Sequence, residues 1–190
     1  MRRPRTRRAA LAVALTLLAG GCAQASDLHP SCRGEEALFI LAAQAVPSAT
    51  LLPCVAQLPV GWDLAGANAE AGAFRFWLSS DRAGHQAVEV TLTATCDVGD
   101  AIEVPPAPDE AGTRRYEDPL ALEPRLVANR YYTFPGGCAT YAFRFASSEA
   151  SPTLVIEAEQ ALSFRPRQAL VDLLADLDFT LCGVGAPECP

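Results

Sequence analysis

Ser79, Ser80, Asp81 and His85 fall close together, and a hydroxyl, a carboxylate and an imidazole are the groups from which a serine hydrolase is built. All four share what reads as one hairpin turn, where side chains point to solvent, and no Gly-x-Ser-x-Gly elbow occurs anywhere in the chain. A solvated turn is therefore the expectation. Glycosidase chemistry needs two carboxylates across a cleft, and 22 acidic residues make accidental pairs unavoidable without nominating one. Asp97, Asp100, Glu103, Asp109 and Glu110 are oxygen donors of the kind calcium takes, but their spacing fits no EF-hand loop. A solvated acidic loop is the simpler reading. There is no Cys-x-x-Cys, and His29 and His85 are the only nitrogen ligands available, which disfavours zinc. The sequence thus nominates no catalytic residue, no metal site and no cofactor.

Trp77 and Arg75 are the candidates for ligand binding. Both fall on the polar side of their alternating segment, and Tyr131 and Tyr132, in a later segment, are also strand aromatics. An aromatic ring beside a guanidinium is a common anchor for a partner or ligand. The other reading is a sheet covered on both faces, with Trp77 packed beneath a helix or connector.

The elements that must position these residues follow from periodicity. Phe74, Phe76 and Leu78 alternate with Arg75, Trp77 and Ser79, and Val88, Val90 and Leu92 alternate with Glu89, Thr91 and Thr93, which predicts a hairpin turning at Ser80 to Gly84. A second hairpin is predicted from Arg130–Phe134 and Ala139–Phe145, joined through Pro135, Gly136 and Gly137. Between the hairpins, residues 97–124 read as a long acidic surface loop with an edge strand at Thr113 to Tyr116, because Pro105, Pro106 and Pro108 exclude a central strand. Leu51 to Pro59 is proline-punctuated and reads as an apolar connector.

Helices are predicted from Glu35, from Ser151-Pro152 with Leu154, Ala158 and Leu162 at intervals of four, and from Pro166 with Leu170, Leu173, Leu174 and Leu177 on one stripe. Phe179 to Leu181 reads as a last short strand. The sum is one α+β domain over residues 32–190, an antiparallel sheet of roughly four to six strands with helices packed on it.

Seven cysteines are present. Cys32, Cys54, Cys96, Cys138, Cys182 and Cys189 are expected to form disulfides, as an even count in an exported domain implies. Fifteen pairings are open; the local one, Cys32 with Cys54, Cys96 with Cys138 and Cys182 with Cys189, suits the elements. In it, a Cys96–Cys138 bond staples the two hairpins into a single sheet.

The seventh cysteine belongs to an export signal. Five arginines precede an apolar run from Ala9 to Ala19, which is too short to span a bilayer. The following Leu18-Ala19-Gly20-Gly21-Cys22 resembles the lipobox of bacterial lipoproteins, with Leu18 one place further from the cysteine than is usual. The resemblance implies cleavage after residue 21, a lipid on Cys22, and a short tether over residues 22–31. An ordinary secretory signal cut near Ala23 or Ala25 is the alternative, and Thr6-Arg7-Arg8 leaves the general and twin-arginine export routes both open.

All 22 acidic residues follow Cys22 but only 10 of the 15 basic ones do, so removal of the signal takes the net charge from −7 to −12. Such a surface repels phosphate, so nucleic acid is not an expected partner. The membrane is reached through the lipid instead. These observations lead to an extracytoplasmic, lipid-anchored protein with a non-enzymatic role in binding an envelope protein or small ligand. A secreted hydrolase of envelope glycans or esters is the alternative.

Overall fold

Alternation at Phe74, Phe76 and Leu78 is realised as a strand that buries those three side chains and leaves Arg75, Trp77 and Ser79 half-exposed. The computed structural model describes residues 32, 36–118, 126–146 and 152–183. The signal peptide, Cys22, the tether and Cys189 lie outside the described residues. The chain runs α1 (Glu36–Ala45), β1 (Leu51–Val55), β2 (Trp62–Glu70), β3 (Ala73–Ser80), β4 (Gly84–Thr93), β5 (Ile102–Val104) and β6 (Arg114–Glu117). It continues through β7 (Leu126–Phe134), β8 (Gly137–Phe145), α2 (Pro152–Gln160), β9 (Leu162–Pro166) and α3 (Arg167–Ala175).

Among the described residues, seven strands form one antiparallel sheet in the order β2-β3-β4-β8-β7-β6-β5, and β1 pairs with β9 in a separate antiparallel ribbon. The protein is thus richer in sheet than an α+β domain with four to six strands. The two hairpins expected from the sequence are the middle of the large sheet, joined through β4 and β8. Thr93 stands opposite Cys138 in that seam, and the Cys96–Cys138 disulfide ties the strand ends there, with Cα atoms 5.7 Å apart. Cys32 is bonded to Cys54 of β1. Cys182 is also disulfide-bonded, to a partner outside the described residues.

Three readings of the sequence are corrected. Leu51–Val55 is a strand, not a connector, because a two-stranded ribbon leaves each strand one unpaired edge, which tolerates a proline such as Pro53. Residues 97–118 hold two short strands rather than one: β5 stops immediately before Pro105, and β6 pairs with it in register Ile102 to Glu117. Leu162 does not continue α2. The helix ends at Gln160 and the chain enters β9, while Phe179 to Leu181 forms no strand and Phe179 is 66% exposed.

The inner face of the large sheet carries Phe74, Phe76, Leu78, Val88, Val90, Leu92, Tyr141, Phe143 and Phe145, all fully or nearly buried. α1, the β1–β9 ribbon, α2 and α3 make up the second layer of this core. α1 contributes Phe39, Ala42, Ala43 and Ala45, while Leu41 remains exposed. Phe164 of β9 inserts among Tyr132, Phe134 and Tyr141, with ring centroids 5.2, 5.8 and 6.0 Å away. That arrangement suits aromatic pairs, which favour offset or edge contacts.

The segment after α1 clasps the β7–β8 turn. Thr50 donates from its amide and its hydroxyl to the Pro135 carbonyl, and the Ser48 hydroxyl donates to the Gly136 carbonyl at 2.7 Å. Only glycine fits at 136: its φ is +71°, and an added Cβ would lie 1.9 Å from the Ser48 carbonyl oxygen.

Candidate functional site

The sequence Arg-Arg-Tyr-Glu of β6 alternates like any strand, so Arg115 and Glu117 point to the same side as Tyr132 and Arg130, their partners on β7. That side is the inner one. The inner face therefore changes character along the sheet, apolar over β3, β4 and β8 and ionic at the β6–β7 end. Two further carboxylates arrive from outside the sheet: Glu110 from a 3-10 turn (Pro108–Glu110) and Glu159 from α2.

These residues form a closed ion network. Arg115 donates from Nε to Glu117 Oε1 at 2.8 Å, from Nη1 to Glu110 Oε1 at 3.2 Å and from Nη2 to Glu159 Oε1 at 3.2 Å. Arg130 Nε lies 3.2 Å from Glu117, and its Nη1 meets Glu159. Glu110 also accepts the Ala107 amide at 2.7 Å, which fixes the 3-10 turn. The Arg115 and Arg130 side chains are 15% and 16% exposed, so the network is largely out of water.

Burial pulls the Arg130 guanidinium below its ordinary range, against the pull of Glu117. Burial also works against the charge of Arg115, but Glu110 and Glu117 are among the groups that hold it above its ordinary value. Burial followed by the Glu110 carboxylate pushes the Tyr132 hydroxyl far up, which keeps it protonated. Three carboxylates face two guanidiniums, leaving one negative charge in excess.

Beside the network, an open groove of about 450 Å³ runs between β5, β7 and α2. Ile102 and Val104 of β5 and Val155 and Ile156 of α2 supply its apolar lining, and Glu117 and Arg130 bring the network to it. Ile102 and Ile156 are 65% and 53% exposed. Among the described residues, no group of three or more His, Cys, Asp and Glu is placed to hold a metal ion.

The residues nominated from the sequence lie elsewhere. Trp77 and Arg75 are on the outer face of the sheet, where Trp77 stands opposite Glu89 in register and Arg75 Nε lies 3.7 Å from Glu89 Oε1. Register links Arg75 through Thr91, Thr140 and Tyr131 to Tyr116, so one outer row crosses five strands. Tyr131 donates to Asp118 at 3.2 Å within that face, and its hydroxyl is raised by burial and by Asp118. Tyr132, its neighbour in sequence, is on the opposite face and 1% exposed.

Ser79 Oγ and His85 Nδ1 are 3.3 Å apart on the exposed turn. The same Oγ accepts the Gln86 amide at 3.0 Å, and Asp81 is turned toward Arg82 rather than toward the imidazole.

Of the network residues the sequence singled out Glu110 alone, as an oxygen donor of an acidic loop, with no sign of the ion network. The available signal was parity: Arg130 falls on the same alternate positions of its strand as the buried Ala128 and Tyr132, where a charge needs a partner. Comparison of the chain with family models, with curated proteins and with solved structures gives no match, so the reading of this site rests on its own geometry.

Proposed function

We propose that this chain is an exported, lipid-anchored envelope protein that acts by binding rather than by catalysis, with the groove between β5 and α2 as its recognition site. The observation that carries the reading is the groove itself, an open apolar slot backed by charged groups that satisfy one another. Catalytic acids and bases must exchange protons with substrate, whereas these carboxylates are committed to Arg115 and Arg130 and serve to hold shape. The disulfides fit an extracytoplasmic protein. No helix of the described residues is long and apolar enough to cross a membrane, and in this reading attachment falls to the lipid on Cys22.

Two measurements test the proposal. Mass spectrometry of native protein should find an acylated Cys22 as the first residue, and Cys22→Ser should release the protein from membranes. A photo-crosslinking amino acid at position 156 should give one dominant adduct in intact cells, absent when the same group is placed at exposed Leu177. Equal, diffuse crosslinking at both positions would remove the groove as the site. Turnover of envelope glycans or esters that disappears in His85→Ala would instead establish the hydrolase reading, whose support is the Ser79–His85 contact.

A further inference from the structure

We infer that the groove takes an extended, basic segment of a partner protein, laid beside β5 as an eighth strand with an apolar side chain seated between β5 and α2. The inference deepens the binding reading and rests on it. Among the described residues, β5 is the last strand of the large sheet on its side. The outer edge of such a strand offers main-chain donors and acceptors to an incoming chain. The two edges of this sheet differ. β2, at the other end, carries a bulge between Leu64 and Gly66 and the polar residues Asp63, Asn68 and Glu70, which are devices that discourage pairing. β5 has no such bulge; its protection is its three-residue length and Glu103, and it exposes Ile102 across the groove from Ile156, the two apolar residues an inserted side chain would cover. An added strand alternates its side chains, so one residue in two reaches the groove and the rest stay in water.

Charge decides what the segment is. Residues 97–118 hold seven carboxylates against two arginines, and the charged lining of the groove itself is two carboxylates, Glu117 and Asp118, against Arg130. The edge therefore attracts arginine and lysine and repels phosphate, and it repels a second copy of itself. Pro105 and Pro106 end β5 after three residues, so the contact is short and its affinity depends on the seated side chain and on the charge.

The test uses the full chain and a synthetic seven-residue peptide alternating leucine and arginine. Binding is read by fluorescence anisotropy at low and high salt. Saturable binding is expected, weakened about tenfold by Ile156→Ser or Ile102→Ser and reduced several-fold by salt. Both residues are exposed, so both variants should keep the parental unfolding midpoint. A leucine and glutamate peptide should not bind. Nor should the leucine and arginine peptide after N-methylation of alternate amides, since that blocks strand pairing. Binding that survives N-methylation, or that ignores both isoleucine substitutions, overturns the inference, as does absence of binding. A concentration-dependent dimer abolished by Ile102→Ser would also overturn it by making a second copy the occupant. A position-156 adduct in cells without peptide binding would sink strand addition while sparing the binding reading; loss of both would sink both.

Discussion

Replacing Arg115 with methionine should destabilise the domain by about 3 kcal/mol, the low end of the range for removing one member of a buried ion pair. Methionine keeps the apolar stem but deletes the contacts to Glu110, Glu117 and Glu159 and the cation–π approach to Tyr132 at 5.9 Å. The partner carboxylates retain 13%, 31% and 19% exposure, and the water that this admits places the loss near the bottom of the range. The distinguishing result lies in a second substitution. In the parent, Glu159→Gln weakens pairing to both arginines and should destabilise. In Arg115→Met, three carboxylates crowd one guanidinium, so the same change should stabilise by about 1 kcal/mol. Urea unfolding followed by the fluorescence of buried Trp62 gives all four free energies. A loss below about 1 kcal/mol for Arg115→Met, or a Glu159→Gln effect of equal size and sign in both backgrounds, would refute the account of the network.

Glu157 accepts hydrogen bonds from Arg82, on the β3–β4 turn, and from Trp62, and the Arg82 hydrogen bond holds its carboxyl below the ordinary value of 4.5. A lowered folded value means stability that is complete above the ordinary value and lost as pH falls through the folded one; Glu157→Gln should therefore lower the urea midpoint at pH 7, and by progressively less as pH falls below the ordinary value. Replacing Cys96 and Cys138 together by alanine should cost about 4 kcal/mol on the chain-entropy account, because the bond closes a span of 42 residues, against about 3 kcal/mol for the 22-residue span of Cys32 and Cys54; calorimetry of the two double variants checks the order. Gly136→Ala should destabilise by about 2 kcal/mol or more, since the new Cβ meets the Ser48 carbonyl and φ is positive; an unchanged melting temperature would contradict the clasp.

What could be read in the sequence was what is local. The β3–β4 and β7–β8 hairpins announce themselves because alternation and turn residues are neighbours, and the start of α3 because Pro166 precedes Arg167. The Cys96–Cys138 pairing followed from the hairpins it joins. The β1–β9 ribbon was hidden because its signal is shared between segments 109 residues apart at Cys54 and Ser163, and neither half persuades alone. Pro53 disguises one half, and helical neighbours disguise the other. The site was hidden for a different reason. A charged residue on a strand reads as solvent-facing by default, and Arg115, Glu117 and Arg130 point inward only because Glu110 and Glu159 come from other elements to meet them. Trp77, conspicuous by type, stands on the face that the groove does not use.

The ribbon also sets a timetable for biogenesis. At about 5–20 residues per second, β9 leaves the ribosome some 5–20 seconds after β1, while strands otherwise pair within microseconds. For that interval an apolar pentapeptide waits without its mate, the circumstance in which nascent chains aggregate. One residue inside it acts as a safeguard during synthesis, since Pro53 denies any interloper a full ladder; a second, Cys54, has its partner Cys32 upstream, at hand once the chain reaches oxidising surroundings. On the exported reading, oxidation outside the reducing cytosol can then tether β1 through Cys32 independently of its pairing with β9.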